Sequence, residues 1–184
     1  MPQVLKRHPD SPCCAVRQIE VDVTRPRPDG LLLSYRVTGT MSDILIPPVV
    51  AVARRDQLWH HTCFEAFVRA PSETAYSEFN LSPSTQWAAY RFSGHRSGMR
   101  AAEGIDAPRI EVQAESQSFT LRASLDFRGL PDLAREACWQ VGLSAVIEDR
   151  GGSMSYWALA HPPGKPDFHH ADCFTLELAP AVAS

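Results

Sequence analysis

Thr62-Cys63-Phe64-Glu65-Ala66-Phe67-Val68-Arg69, Tyr76-Ser77-Glu78-Phe79-Asn80-Leu81 and Trp87-Ala88-Ala89-Tyr90-Arg91-Phe92 follow one another with only short connections between them. The segments are aromatic-rich, free of proline and of strand length, so they predict a meander of three β-strands. Each also carries a polar side chain that a plain core strand does not need: Glu65, Glu78, Asn80 and Arg91. Burying such groups costs free energy unless they are paired. The meander is therefore expected to offer a recognition surface on one face.

Working outward, period-two alternation recurs along the chain, and that is the strand signal. Ile19, Val21 and Val23 alternate with Glu20, Asp22 and Thr24; Leu31, Leu33, Tyr35 and Val37 alternate with polar residues, with Asp29-Gly30 as the hairpin turn. Ile110–Glu115 and Phe119–Leu125 flank the polar turn Ser116-Gln117-Ser118. Trp139, Val141, Leu143, Ala145 and Ile147 form the longest alternating run, and Gly151-Gly152 turns it into Met154–Leu159. A short strand is expected at Val49–Ala53, a mobile loop at Gly94–Met99 and a last strand at Cys173–Leu178. Leu130–Ala137 is the one candidate helix, with Pro131 near its start and Asp132 in its first turn.

Nine or ten short strands separated by turn signals predict an all-β antiparallel sandwich with at most one short helix. No βαβ rhythm supports a parallel sheet, and no fixed-period repeat is present. Residues 1–14 are expected to form a loose leader, 15–179 a single domain and 180–184 a frayed tail.

The chain has 184 residues, 44% hydrophobic and 21% charged, with a net charge of −3. That balance is ordinary for a globular domain and gives no support to nucleic-acid binding. No apolar run is long enough to span a membrane, and residues 1–10 lack the apolar stretch of a secretory signal. Of the five cysteines, Cys63, Cys138 and Cys173 sit in apolar segments, and no Cys-x-x-Cys occurs. Free thiols in a cytoplasmic protein are the expectation.

The histidines invite a metal hypothesis, with His61, Glu65, His161 and His169 as the set for a metal-dependent hydrolase. No compact ligand motif supports it, and loop histidines bonded to carboxylates are the simpler reading. Glu65 and Glu78, if their strands pair, could serve as acid and base on a glycoside, or accept hydroxyl and guanidinium hydrogen bonds without catalysis. A nucleophile is poorly supported: no Gly-x-Ser-x-Gly occurs, and Cys63 lies inside a strand. Trp59 and Phe168 lie outside regular strands and are the aromatics expected to be exposed.

Several motifs together resemble a known family: Leu58-Trp59-His60-His61-Thr62-Cys63-Phe64-Glu65, Glu78-Phe79-Asn80-Leu81-Ser82-Pro83, Gly142–Glu148, Ser155-Tyr156-Trp157-Ala158-Leu159 and Pro166-Asp167-Phe168-His169-His170. The chain is similar to bacterial DOMON-like proteins related to type 9 carbohydrate-binding modules. The resemblance implies a jelly-roll-like sandwich and a ligand that is a sugar or haem. The subfamily is named after a neighbouring enzyme of cell-wall precursor synthesis, which makes a cell-wall sugar precursor a further expectation.

In type 9 modules two aromatic rings sandwich the sugar, and the resemblance maps them onto Trp59 and Phe168. Glu65 matches the modules' glutamate. Thr62 stands where they carry an aspartate, a departure that argues against a bound calcium. The resulting expectation is a non-catalytic module for a sugar-like small molecule. Trp59 and Phe168 would stack on the ring, Glu65, Asn80, Arg96 and His169 would supply polar contacts, and Trp87 and Trp157 would support the pocket wall. A haem module, with Met99 or Met154 and His161 or His169 as axial ligands, is the rival, and a protein-interaction scaffold is another.

Overall fold

The computed structural model describes residues 1–12, 15–130 and 133–181. Among the described residues twelve strands form: β1 Gln3–Arg7, β2 Val16–Arg27, β3 Gly30–Gly39, β4 Cys63–Arg69, β5 Tyr76–Leu81, β6 Trp87–Phe92, β7 Arg100–Ala101, β8 Arg109–Ala114, β9 Ser118–Asp126, β10 Trp139–Glu148, β11 Met154–Ala158 and β12 Leu176–Leu178. Every ladder between them is antiparallel. One layer runs β1-β2-β3-β9-β8 and the other β7-β6-β5-β4-β10-β11-β1, with β12 along β10. The fold is an all-β sandwich, as the alternation predicts, and among the described residues it contains single 3-10 turns rather than α-helices.

The N-terminus corrects the expectation of a loose leader. Gln3–Leu5 pair with β2 and Lys6–Arg7 pair with β11, so β1 belongs to both layers and joins them. Only Leu5 of its five residues is buried, which is why no periodic signal marks it. Residues 13 and 14 of that segment lie outside the described residues, as do 182–184 of the expected tail.

Other boundaries move for identifiable reasons. Pro26 sits at an irregularity in the β2–β3 ladder between Thr24 and Arg27, where a residue without an N–H does no harm. The turn is then the two residues Pro28-Asp29, and Gly30 opens β3. Val49–Ala53 is extended but not a strand: Val50 N–H donates to the Ser84 carbonyl and Trp87 N–H to the Ala53 carbonyl. The candidate helix at 130–137 includes residues 131 and 132, outside the described set, and the described remainder forms turns. Ala171–Cys173 is a 3-10 turn, so the last strand is only Leu176–Leu178.

The register explains the core. Partners across the second layer line up as Trp157, Ala145, Phe64, Leu81 and Trp87, and in the next inward row as Leu143, Ala66, Phe79 and Ala89. These rows face the other layer. Phe64 stacks on Phe119 of β9 with ring centres 6.1 Å apart, and Tyr35 of β3 reaches across to donate 2.6 Å to the Glu65 carbonyl. Successive strand residues point to opposite faces, so the alternate rows face away from this core. Those rows read Ala158, Ser144, Glu65, Asn80, Ala88 and Gly142, Phe67, Glu78, Tyr90, Ala101. They form a second apolar cluster with Cys63, Val146, Phe92, Phe168 and Phe174, built on the outer face of the second layer.

Candidate functional site

The outer face is hollow where the alternate rows carry small residues. Ala158, Ser144 and Ala88 flank Glu65 and Asn80, while bulkier rings stand around them. A cavity of about 480 Å³ results. Glu65 and Glu78 lie on its floor. Trp59, Phe92, Tyr156 and Phe168 supply aromatic walls, and Met99, Met154 and Val146 add apolar surface. Arg96, His169, His60 and Pro166 complete the lining. A mostly apolar hollow with a few convergent polar groups is the usual form of a small-molecule site.

Three loop segments bring the walls to the sheet. Trp59 sits in the 3-10 turn Leu58–His60, entered through Gln57 in a left-handed conformation (φ 62°). Its ring packs edge-on against Tyr90 at 6.0 Å, and the Tyr90 hydroxyl donates to Asp56 at 2.7 Å. Arg96 lies in the turn between β6 and β7, the segment expected to be mobile, and hydrogen bonds tie that turn to its surroundings. Ser93 N–H donates to the Ser97 carbonyl, and Arg96 donates from Nε (3.0 Å) and Nη2 (2.9 Å) to Asp167 Oδ1. His95 Nε2 lies 2.7 Å from the other Asp167 oxygen, and the His169 backbone N–H also donates to Oδ1. Burial would raise the Asp167 carboxyl, but hydrogen bonds from His95 and Arg96 outweigh it and hold it below the usual carboxylate value.

Asp167 thus ties the Gly94–Met99 turn to the 166–170 strap over the cavity. Asp167→Ala is expected to weaken this tether by about 1 kcal/mol, since the partners are half exposed and solvent-screened. Amide hydrogen exchange should speed up at residues 94–99 and 166–170 and nowhere else. Unchanged exchange there would show that the tether is not what holds the rim.

The polar floor is a chain of oriented bonds. Ser144 donates 2.9 Å to Glu65 Oε2, and Asn80 Nδ2 donates 2.7 Å to Glu78 Oε1. The Tyr76 oxygen accepts from Arg96 N–H at 3.2 Å and sits 2.8 Å from His169 Nδ1, within hydrogen-bond reach of the imidazole. On its other side, His169 Nε2 faces Glu78 Oε2 at 3.8 Å. Burial dominates the electrostatics. It pushes Glu65 up to about 8, helped by the neighbouring Glu78 charge, and Glu78 up to about 7. It pushes His169 down to about 4, with the Arg96 charge adding to the effect, and Tyr76 up to about 12. Burial thus favours the neutral imidazole and the protonated form of the carboxyl pair.

The structure brings together Trp59, Glu65, Arg96, Phe168 and His169. Phe168 departs from expectation in being only 8% exposed. Asn80 is fully buried and acts on Glu78 rather than lining the cavity. Trp87 and Trp157 are corrections: both point into the inter-layer core, on the opposite face from Glu65. Glu78 belongs with Glu65, as their strand pairing allows. Phe92, Val146, Tyr156 and Pro166 carry no signal in the sequence that separates them from core or loop residues.

The metal set does not assemble. His61 Nδ1 lies 2.8 Å from Glu148 at the surface, and His161 Nε2 is bonded to the Lys6 carbonyl and packs on His8. Only Glu65 and His169 of the four reach the cavity. Among the described residues no three His, Cys, Asp or Glu side chains gather as metal ligands. The Cys63 thiol is sealed in the sheet, its pKa raised by burial and the nearby Glu65, with Asn80 Oδ1 at 4.0 Å.

No protein-family model matches this chain, and no curated protein matches it. Solved structures do. A Bacteroides uniformis protein provisionally assigned to carbohydrate binding superposes with a TM-score of 0.65 at 12% identity, over 94% of this chain and 82% of its own. A family 9 carbohydrate-binding module from Caldicellulosiruptor kristjanssonii, bound to cellotriose, gives 0.56 at 10% identity over 100% and 84%. A family 9 module from the same organism bound to glucose gives 0.53 at 11% identity over 95% and 81%. At these identities the likeness shows a shared fold.

Proposed function

We propose that this chain is a non-catalytic binding module whose ligand is a sugar or sugar-like metabolite, held in the cavity over Glu65 and Glu78. Its membership of the DOMON-like proteins related to type 9 modules, and a cytoplasmic location, are part of the same proposal. The buried free thiols Cys63 and Cys173 and the exposed Cys138 suit a reducing compartment.

One observation carries the reading: an aromatic-walled hollow with hydrogen-bonding groups confined to its floor and rim. A sugar ring has an apolar C–H face and a hydroxyl edge, and both need a partner at once. Trp59 and Phe168 offer ring faces or edges, Glu65 and Glu78 accept hydroxyl protons, and Arg96 and His169 stand at the rim. The fold shared with sugar-bound modules agrees with it.

Haem is the alternative tested by fit. Met99, Met154 and His169 all line the cavity. The His169 imidazole is held between Tyr76, 2.8 Å from Nδ1, and Glu78, 3.8 Å from Nε2. His161 is bonded to Lys6 instead. Titration with haem decides this alternative.

The test is a panel of mono- and disaccharides in a thermal-shift assay, run beside haem titration and incubation with aryl glycosides. A ligand that binds only the folded protein at 100 times its Kd stabilises it by about 2.7 kcal/mol, so the unfolding midpoint is expected to rise with at least one saccharide. A flat panel would overturn the sugar reading. A Soret shift on titration would restore haem, and release of aryl alcohol would make the carboxyl pair catalytic.

A further inference from the structure

Charges at the rim of the cavity are paired in contact, whereas the floor carboxyls, among the described residues, touch no cation and feel the Arg96 charge only at a distance. Arg96 is the guanidinium nearest the site, and it forms its ion pair with Asp167, which also takes His95. Glu65 and Glu78 are 3% and 4% exposed, and their fixed donors are neutral: the Ser144 hydroxyl and the Asn80 amide. Each donor occupies one oxygen. Among the described residues no hydrogen bond reaches the second oxygen of Glu65, and that of Glu78 stands 3.8 Å from an uncharged imidazole.

A carboxylate taken out of water needs a cation beside it or a proton on it. Two such groups share this floor. Glu65 pairs with Asn80, and Glu78 with Phe67, in the β4–β5 ladder, so the two glutamates are diagonal neighbours on one face. Diagonal pairs stand about 7–8 Å apart at Cα, with side chains able to meet. One ammonium group has three donors and can serve both carboxyls at once. The walls suit a cation too: Trp59, Phe92, Tyr156 and Phe168 present π-systems, which attract positive charge.

Resting on the sugar reading of this cavity, we propose that its ligand carries a protonated amine, bound between Glu65 and Glu78, so that the site selects an amino sugar over its neutral counterpart. The amine displaces the proton that the pair otherwise holds. The titratable and charged groups around the pair are Arg96 of the turn after β6, His169 of the strap, His60 of the 3-10 turn, Tyr156 of β11, and Tyr76 and Cys63 of the sheet itself. The displaced proton goes to solvent.

The experiment is isothermal titration of D-glucosamine, D-galactosamine and D-mannosamine, each beside its N-acetyl and its hydroxyl counterpart, with cyclohexylamine as a cation that is not a sugar. Titrations at pH 6.5 in two buffers of different ionisation enthalpy count the protons released. An amino sugar is expected to bind about tenfold to a hundredfold more tightly than its neutral partners, the range of one charge-assisted hydrogen bond, and to release protons. Glu65→Gln and Glu78→Gln should remove the preference and the proton release together. Neutral sugars binding as tightly as amino sugars would overturn the ammonium site and leave the sugar reading intact. Cyclohexylamine binding with no saccharide binding would overturn the sugar reading and keep the ammonium site. Silence from every compound would overturn both.

Discussion

Between pH 6.5 and pH 8 the protein is expected to lose thermal stability, and Glu65→Gln or Glu78→Gln to flatten that loss. Burial raises both carboxyls, Glu65 to about 8 and Glu78 to about 7. In the unfolded chain both return to the ordinary range near 4.5. Through that window the folded state holds protons that the unfolded state has already released. Stability therefore falls as pH rises, with a slope of up to about 1.4 kcal/mol per pH unit for each proton of difference.

His169 has the opposite sign. Its imidazole is depressed to about 4 from an ordinary value of 6.5, so it adds stability as pH climbs from 4 to 6.5 and nothing changes above that. The two effects oppose one another in mild acid and separate above pH 6.5, which is why the upper window is diagnostic. Differential scanning calorimetry at half-unit steps would read it. A midpoint that stays level or climbs from pH 6.5 to 8 would mean that the two carboxyls are not held in their neutral form. The same measurement bears on function, because a floor that keeps its proton against bulk pH 7 is one that a cationic ligand can discharge.

Strand positions were legible because the chemistry that sets them is local. Alternation at Ile19–Thr24, at Phe119–Leu125 and along Trp139–Ile147 falls within β2, β9 and β10. What alternation cannot supply is which face is which when both are buried. In β4 the inward residues Phe64, Ala66 and Val68 are no more apolar than the outward Cys63 and Phe67. Only the pairing register decides, and it joins residues far apart in the chain: Glu65 meets Ser144 across 79 positions. Trp87 and Trp157 look like wall residues in the sequence for this reason. Each is an aromatic next to small neighbours, and nothing local says that the register carries both into the row of Phe64.

The strap shows the complementary limit. Phe168 and His169 are placed by Asp167, whose partners His95 and Arg96 lie 72 and 71 positions away. Charge pairs across loops leave no periodic trace. Trp59 and Glu65 were findable from the motif that carries the family resemblance, and Glu78 from the strand pairing. Tyr76, which orients His169, reads in the sequence as one more core aromatic.

The tryptophans provide the sharpest separation of fold from site. Trp157→Ala is expected to cost about 3–5 kcal/mol, the range for removing a large aromatic from a packed core. The indole is 5% exposed, packs in the inter-layer core, and its N–H donates 3.0 Å to the Ser155 hydroxyl, which would lose a partner as well. Trp87→Ala belongs to the same class, with the added loss of Arg54 stacked 4.5 Å over the ring. Trp59→Ala is the contrast. Its ring is half-buried, sits in a surface turn and touches Tyr90 only edge-on. Its removal should cost less than about 1 kcal/mol of stability. Ligand affinity should nevertheless drop about thirtyfold or more, the effect of losing an aromatic anchor worth about 2 kcal/mol. Chemical denaturation gives the first quantity, and the ligand-induced rise in midpoint gives the second. If Trp59→Ala unfolds the protein as readily as Trp157→Ala, the ring is structural. If Trp157→Ala is stable yet loses ligand, the binding face is the wrong side of the sheet. Strand parity puts Trp157 in the row of Phe64, facing the other layer, whereas Trp59 lines the cavity over Glu65 on the opposite face, because Phe64 and Glu65 cannot point the same way.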